Sequence, residues 1–168
     1  MRIPTRFVTD SSLDQLARRL RFLGYDVITH RGARLEELCE DAQRQGRSVL
    51  TSSPRRPGRF ADVPVVQVAR GDTAGALRMI AAEHAPATAP WTRCPRCNVT
   101  LHARSAFEAR GEVPGRVTRA AGMTFRSCPA CGQWFWPGSH VARLSAWFEQ
   151  VLGRPVDGPA AEGPDPGP

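Results

Sequence analysis

Cys94-Pro95-Arg96-Cys97 and Cys128-Pro129-Ala130-Cys131 are two CxxC pairs separated by 30 residues. Two thiolates on one tight turn reach a single ion at about 2.3 Å, and a second such turn completes a tetrahedron, the arrangement of a structural zinc. Asn98 and Gly132 directly follow the pairs. Both residue types accept the turned backbone of a zinc knuckle. A redox dithiol has no reactive context here, and an iron–sulfur cluster does not suit the spacing. His102 and His140 are alternative ligands, but four thiolates already close the shell, and a closed shell holds shape rather than performing catalysis. Cys39 stands alone on the apolar face of a helical pattern, where it reads as a core residue and not as a nucleophile.

Asp10, Ser52 and Ser53 are placed for chemistry by a different logic, at the carboxyl ends of strands. Residues 6–9 read as a strand ending at Asp10. Ser11 or Ser12 then caps a helix whose Leu13, Leu16, Ala17, Leu20 and Leu23 share one face, and Gly24 stops it as a left-handed cap. Further strands are expected at 25–29, 48–51 and 63–68. Leu35, Leu38, Cys39 and Ala42 mark a second helix, followed by Gly46, and a third, capped by Thr73, runs through Ala76, Leu77 and Ile80. Strands alternating with helices of this length imply an α/β fold with a mostly parallel sheet covered by helices. Such sheets place sites at strand carboxyl ends, near the switch in strand order.

Composition divides the chain further. Residues 84–90 have linker character, and Val141, Leu144, Trp147, Phe148 and Val151 mark a last amphipathic helix, capped by Ser139. The expected division is an α/β domain over 1–83, a linker over 84–90, a cysteine-bearing unit plus helix over 91–152, and a tail over 153–168. Proline, glycine and alanine dominate that tail, which cannot bury enough apolar surface to order itself.

The chain carries a net charge of +7, and all 23 of its basic residues are arginine. Ahead of residue 153 there are 22 arginines against 13 acids, giving +9. A basic body of this size favours polyanions, nucleic acid first. The total absence of lysine points to a coding bias, so each single arginine is weaker evidence for a phosphate contact. No stretch approaches the roughly 18 uninterrupted apolar residues of a membrane helix, and the N-terminus has no apolar signal core. A cytoplasmic address is therefore expected, where paired cysteines read as metal ligands before disulfides.

Several segments carry a family likeness: Phe7-Val8-Thr9-Asp10, Leu16 to Asp26, Gly46 to Thr51, Arg93 to Asn98, Cys128 to Gly132 and Trp136 to His140. In order and spacing the chain resembles the Mut-7 C-terminal RNase family, from about residue 6 to residue 144. The resemblance implies a PIN-like parallel sheet flanked by helices, followed by a small zinc ribbon with a C-terminal helix. It also implies a carboxylate cluster holding Mg or Mn, which activates water against a phosphodiester, with RNA as the nucleic acid. The family's first acid falls on Asp10. Its second falls on Leu35 and its third on Ser53, so two carboxylates are replaced. Glu36, Glu37 or Asp14 are candidate substitutes, with solvated helix carboxylates as the plainer reading.

Arg18, Arg21, Arg55, Arg56, Arg93 and Arg96 are the candidate nucleic-acid contacts, with Arg59 in the same loop as Arg55. Guanidinium groups pair with phosphate through bidentate bonds. Trp134, Phe135 and Trp136 are candidate stacking platforms for unpaired bases, or core residues of a small ribbon. Three functions stay open on the sequence. The first is an RNA-binding protein whose nuclease centre is partly lost, a pseudoenzyme. The second is an active Mg- or Mn-dependent ribonuclease using Asp10 with Glu36 or Glu37. The third is a ribbon module docking on a larger nucleoprotein assembly. Oligomeric state is not specified by the sequence.

Overall fold

Phe7 and Val8 point to opposite faces of strand β1 (Arg6–Asp10) and enter two separate apolar clusters. That alternation sets the layers of the first half. The computed structural model describes residues 5–32, 34–120 and 122–156. β1 runs through a 3-10 turn, Ser11–Leu13, into helix α1 (Asp14–Phe22), then strand β2 (Asp26–His30), helix α2 (Leu35–Gln45) and strand β3 (Ser48–Thr51). A second 3-10 turn, Gly58–Phe60, precedes strand β4 (Val65–Gln67) and helix α3 (Thr73–Glu83). The sheet is parallel throughout, in the order β2-β1-β3-β4. The chain leaves β1 for one neighbour and crosses back to the other, so the switch in strand order falls at β1 and β3.

The cysteine half holds a three-stranded antiparallel sheet, β5 (His102–Arg104), β6 (Phe125–Ser127) and β7 (Trp134–Phe135). A one-turn helix α4 (Gly115–Thr118) lies between β5 and β6, and helix α5 (Ser139–Leu152) follows β7. The expected α/β fold with a following ribbon and C-terminal helix is therefore present. Among the described residues no helix is long and apolar enough to cross a membrane.

Helix starts differ from expectation in one systematic way. Asp10 caps the 3-10 turn Ser11–Leu13 by accepting from the Ser12 backbone N–H at 2.7 Å, and α1 itself follows Leu13 with no side-chain cap, so neither Ser11 nor Ser12 caps it. Asp72, not Thr73, caps α3 by accepting from Gly75 N–H at 2.8 Å. Gly138, with no side-chain bond, stands where Ser139 was expected. At Asp10 and Asp72 the aspartate wins because its carboxylate reaches the second or third N–H of the turn.

Leu144, Phe148 and Val151 of α5 enter the same cluster as Leu20 of α1 and Leu77 and Ile80 of α3. Each such side chain contributes roughly 2 kcal/mol on burial, so the last helix is part of the first core. Val156, within the expected tail, is also buried in that cluster. Residues 157–168 lie outside the described part.

Residues 84–90 hold backbone bonds despite their linker composition. The N–H groups of Ala87 and Thr88 both donate to the Gly24 carbonyl at 3.1 Å, and Thr5 N–H donates to Ala85 at 3.2 Å. Gly24 has φ +87°, and a Cβ there would stand 2.0 Å from the Thr88 carbonyl oxygen. Gly24→Ala is therefore expected to lower stability by more than about 2 kcal/mol. Gly46 also has a positive φ, but its nearest neighbour is a flexible arginine tip at 3.6 Å, so Gly46→Ala should cost only about 1 kcal/mol. Urea unfolding midpoints of the two variants check the contrast.

Candidate functional site

Asp10 ends β1 directly opposite His30 of β2. Residues two apart on a strand share a face. Asp10 therefore sits on the side of Val8, and His30 on the side of Ile28, the face that packs on Cys39 and Ala42 of α2. The sheet thus presents Asp10 at its carboxyl edge, at the switch in strand order, where open α/β sheets bind ligands.

The other family positions do not add charge there. Leu35 is half-buried against the α2 cluster, serving as a packing residue. Ser53 turns its hydroxyl to the backbone N–H of Arg55 at 3.2 Å, and its own N–H donates to Thr51 Oγ1 at 3.0 Å. Glu36 is exposed in the first turn of α2, and Glu37 accepts from the Arg34 backbone N–H at 2.9 Å. That bond, with the Arg34 guanidinium, draws the Glu37 carboxyl below its ordinary value. Asp14 pairs with Arg18 at 2.9 Å. Among the described residues, only the four cysteines form a group of three or more ligand side chains within reach of one ion.

His30 and Asp41 form a pair that sequence reading missed. His30 Nε2 lies 2.6 Å from Asp41 Oδ2, and Arg44 pairs with the other oxygen of the same carboxylate. Burial pushes the Asp41 carboxyl up, but bonds from Gln45, His30 and Arg44 outweigh it and hold the group below the usual carboxylate range. The signal was available. Asp41 lies three residues after Leu38 and next to Ala42 on the buried side of α2, and a carboxylate on an apolar face demands a partner.

The four cysteine sulfurs lie within 4.8 Å of one another, with Cys94 and Cys131 at 3.9 Å. Tetrahedral bonds of about 2.3 Å put sulfurs about 3.8 Å apart, so the donor set fits a thiophilic tetrahedral ion. Both turns close alike: Asn98 N–H donates to the Cys94 carbonyl and Gly132 N–H to the Cys128 carbonyl, each at 2.9 Å. Asn98 and Gly132 have φ of +65° and +71°, the left-handed backbone expected of them.

Arg21 joins this metal centre to the α/β sheet. It is only 3% exposed, which removes it from the candidate nucleic-acid contacts. Its Nε donates to the Val27 carbonyl at 2.9 Å, Nη2 to Thr29 Oγ1 at 2.7 Å, and Nη1 to the Pro95 carbonyl of the first knuckle at 2.8 Å. Beside it, Asn98 accepts from Val27 N–H at 3.0 Å and donates to Asp26 Oδ1 at 2.7 Å. Asp26 in turn pairs with the buried Arg47 at 2.8 Å.

Arg93 is half-buried, with one guanidinium nitrogen donating to the Asn98 carbonyl. Arg18, Arg55, Arg56 and Arg96 are exposed, as is Arg59, which pairs with Glu40 at 2.7 Å. These elements carry the expected order of an RNase domain and its ribbon, and the sequence matches the Mut7-C RNAse domain over residues 5–148. The chain belongs to that family. The match spans both halves and ends within α5, in keeping with the core that α5 shares with α1 and α3. No curated protein and no solved structure matches the chain.

The Asp26 bridge gives this family member a definite acid response. Burial pushes the Asp26 carboxyl up, but bonds from Arg47 and Asn98 reverse this and leave it below its ordinary value. A depressed folded pKa supplies stability that is complete above the unfolded value, about 4, and is lost as pH falls through the folded value. Unfolding free energies measured from pH 6 to pH 2 should therefore fall more steeply for the wild type than for Asp26→Asn over the acid part of that range.

Proposed function

We propose that this chain is an RNA-binding member of the Mut7-C RNase family whose metal-dependent nuclease centre is partly lost. The observation that carries this reading is that the two other family positions add no carboxylate: Leu35 packs half-buried against the α2 cluster, and the Ser53 hydroxyl is taken up in a backbone turn. Mg²⁺ prefers octahedral oxygen coordination with carboxylates. Asp10 alone in a basic body is a poor holder of two cations. If an ion does bind, Asp10 is the residue that would hold it, and the ion would supply water activation and phosphate charge stabilisation.

The basic body supports polyanion binding, with Arg18, Arg55, Arg56 and Arg96 exposed on it. Zinc is the ion we assign to the four cysteines, because four thiolates in a closed tetrahedral shell suit it. Its part is to fix the ribbon against the α/β sheet, and no step of phosphodiester chemistry is assigned to it.

Metal analysis of the purified protein is expected to find one zinc per chain. Cys128→Ser should abolish that stoichiometry and lower the ribbon's resistance to proteolysis. In filter-binding titrations, RNA should bind at low ionic strength and weaken linearly in log–log fashion as salt rises. Labelled RNA incubated with Mn²⁺ should show no cleavage that distinguishes wild type from Asp10→Asn. Cleavage by wild type that Asp10→Asn lacks would restore the active-nuclease reading. Absence of any salt-dependent binding would remove the RNA-binding one.

A further inference from the structure

Between the first knuckle, the segment around α4 and Phe22 of α1 lies an open groove of about 630 Å³. That is within the size range of sites for small organic groups, about 300–1,000 Å³. Trp134, Trp136 and Met123 line it together with Arg96, Arg116 and His140, and its described lining holds no carboxylate. Arg96, Arg116 and His140 are exposed. Among the described residues neither of these two arginines has an ion pair.

The indoles are placed to hold a ring. Trp134 and Trp136 pack against the small cluster of Ala109, Val113 and Phe125 while remaining half-buried. An aromatic ring fixed by packing and still facing a groove is a stacking platform. The chain's other two tryptophans are not available in this way. Trp91 is 5% exposed, and Trp147 lies under the Arg19 guanidinium at 4.8 Å. The first turn of α5 also borders the groove through Ser139 and His140, with no side-chain cap and no acid. Its positive helix end adds to the arginines. Apolar walls with cationic rims suit a ligand that alternates flat rings and phosphates.

We propose that this groove binds an unpaired base of single-stranded RNA, with Trp134 and Trp136 stacking on the ring and Arg96 and Arg116 pairing with the flanking phosphates. This rests on the RNA-binding function proposed above and locates it on the ribbon, away from the Asp10 edge. A duplex keeps its bases stacked inside and offers the groove only backbone, so single strands are favoured.

The test uses the full, zinc-loaded chain with three probes: a ten-nucleotide oligoadenylate, the same sugar–phosphate chain without bases, and a blunt RNA duplex. Oligoadenylate is expected to quench tryptophan fluorescence and to bind at least tenfold tighter than either other probe. Arg96→Glu with Arg116→Glu, both exposed changes, should weaken it at least tenfold and flatten its salt dependence. Trp136→Phe should keep most of the affinity that Trp136→Ala loses, with circular dichroism confirming that both fold. Equal binding of the baseless chain overturns the groove assignment while leaving RNA binding in place, as does wild-type affinity in the double arginine variant. Displacement of oligoadenylate by polyglutamate at equal concentration assigns the groove to an acidic protein partner instead. Absence of binding by all three RNA probes removes both proposals together.

Discussion

A buried guanidinium must have its donors matched, because the cost of taking it out of water is recovered only through well-aligned acceptors. Arg21 meets that condition by drawing acceptors from two parts of the chain, Val27 and Thr29 on β2 and Pro95 on the first knuckle. The knuckle's backbone is thereby fixed in register with β2. Asn98, left-handed at the turn of the same knuckle, adds a second tie through Val27 and Asp26. The metal centre, the parallel sheet and the groove beside Arg96 all take their relative positions from this junction.

Much of the architecture was legible because it follows from local periodicity. The apolar faces of α1 and α2 and the paired CxxC turns need only neighbouring residues to be read. What escaped depends on distant partners. Arg21 looked like a phosphate contact, since nothing within its helix reveals that Val27 and Pro95 close over it. Residues 84–90 have linker composition, and alanine and proline content does not show the carbonyls and N–H groups that meet at Gly24. The His30–Asp41 pair joins a strand end to the buried side of the next helix, and only the misplaced polarity of Asp41 hinted at it. Two cap positions were misread because Ser11 and Thr73 stood next to aspartates that reach further.

The two ends of the molecule differ in electrostatic character. Near the sheet edge several carboxylates are drawn into pairs: Asp14 with Arg18, Asp41 with His30 and Arg44, Glu37 with Arg34, while Asp10 caps a turn. In the ribbon groove, arginines stand without such partners among the described residues and aromatic rings face open space.

The shared core has a consequence for how the chain is made. Leu20, Leu77 and Ile80 belong to the first half, yet Phe148 and Leu144 of the last helix complete their cluster. A nascent chain emerges N-terminus first, so the α/β layer is synthesised with one apolar flank uncovered. It stays that way while the ribbon, with its four cysteines, is translated. Only when α5 leaves the ribosome does that flank close. The four cysteines are thus all translated before the helix that seals the sheet's core, so both knuckle turns can form ahead of that closure.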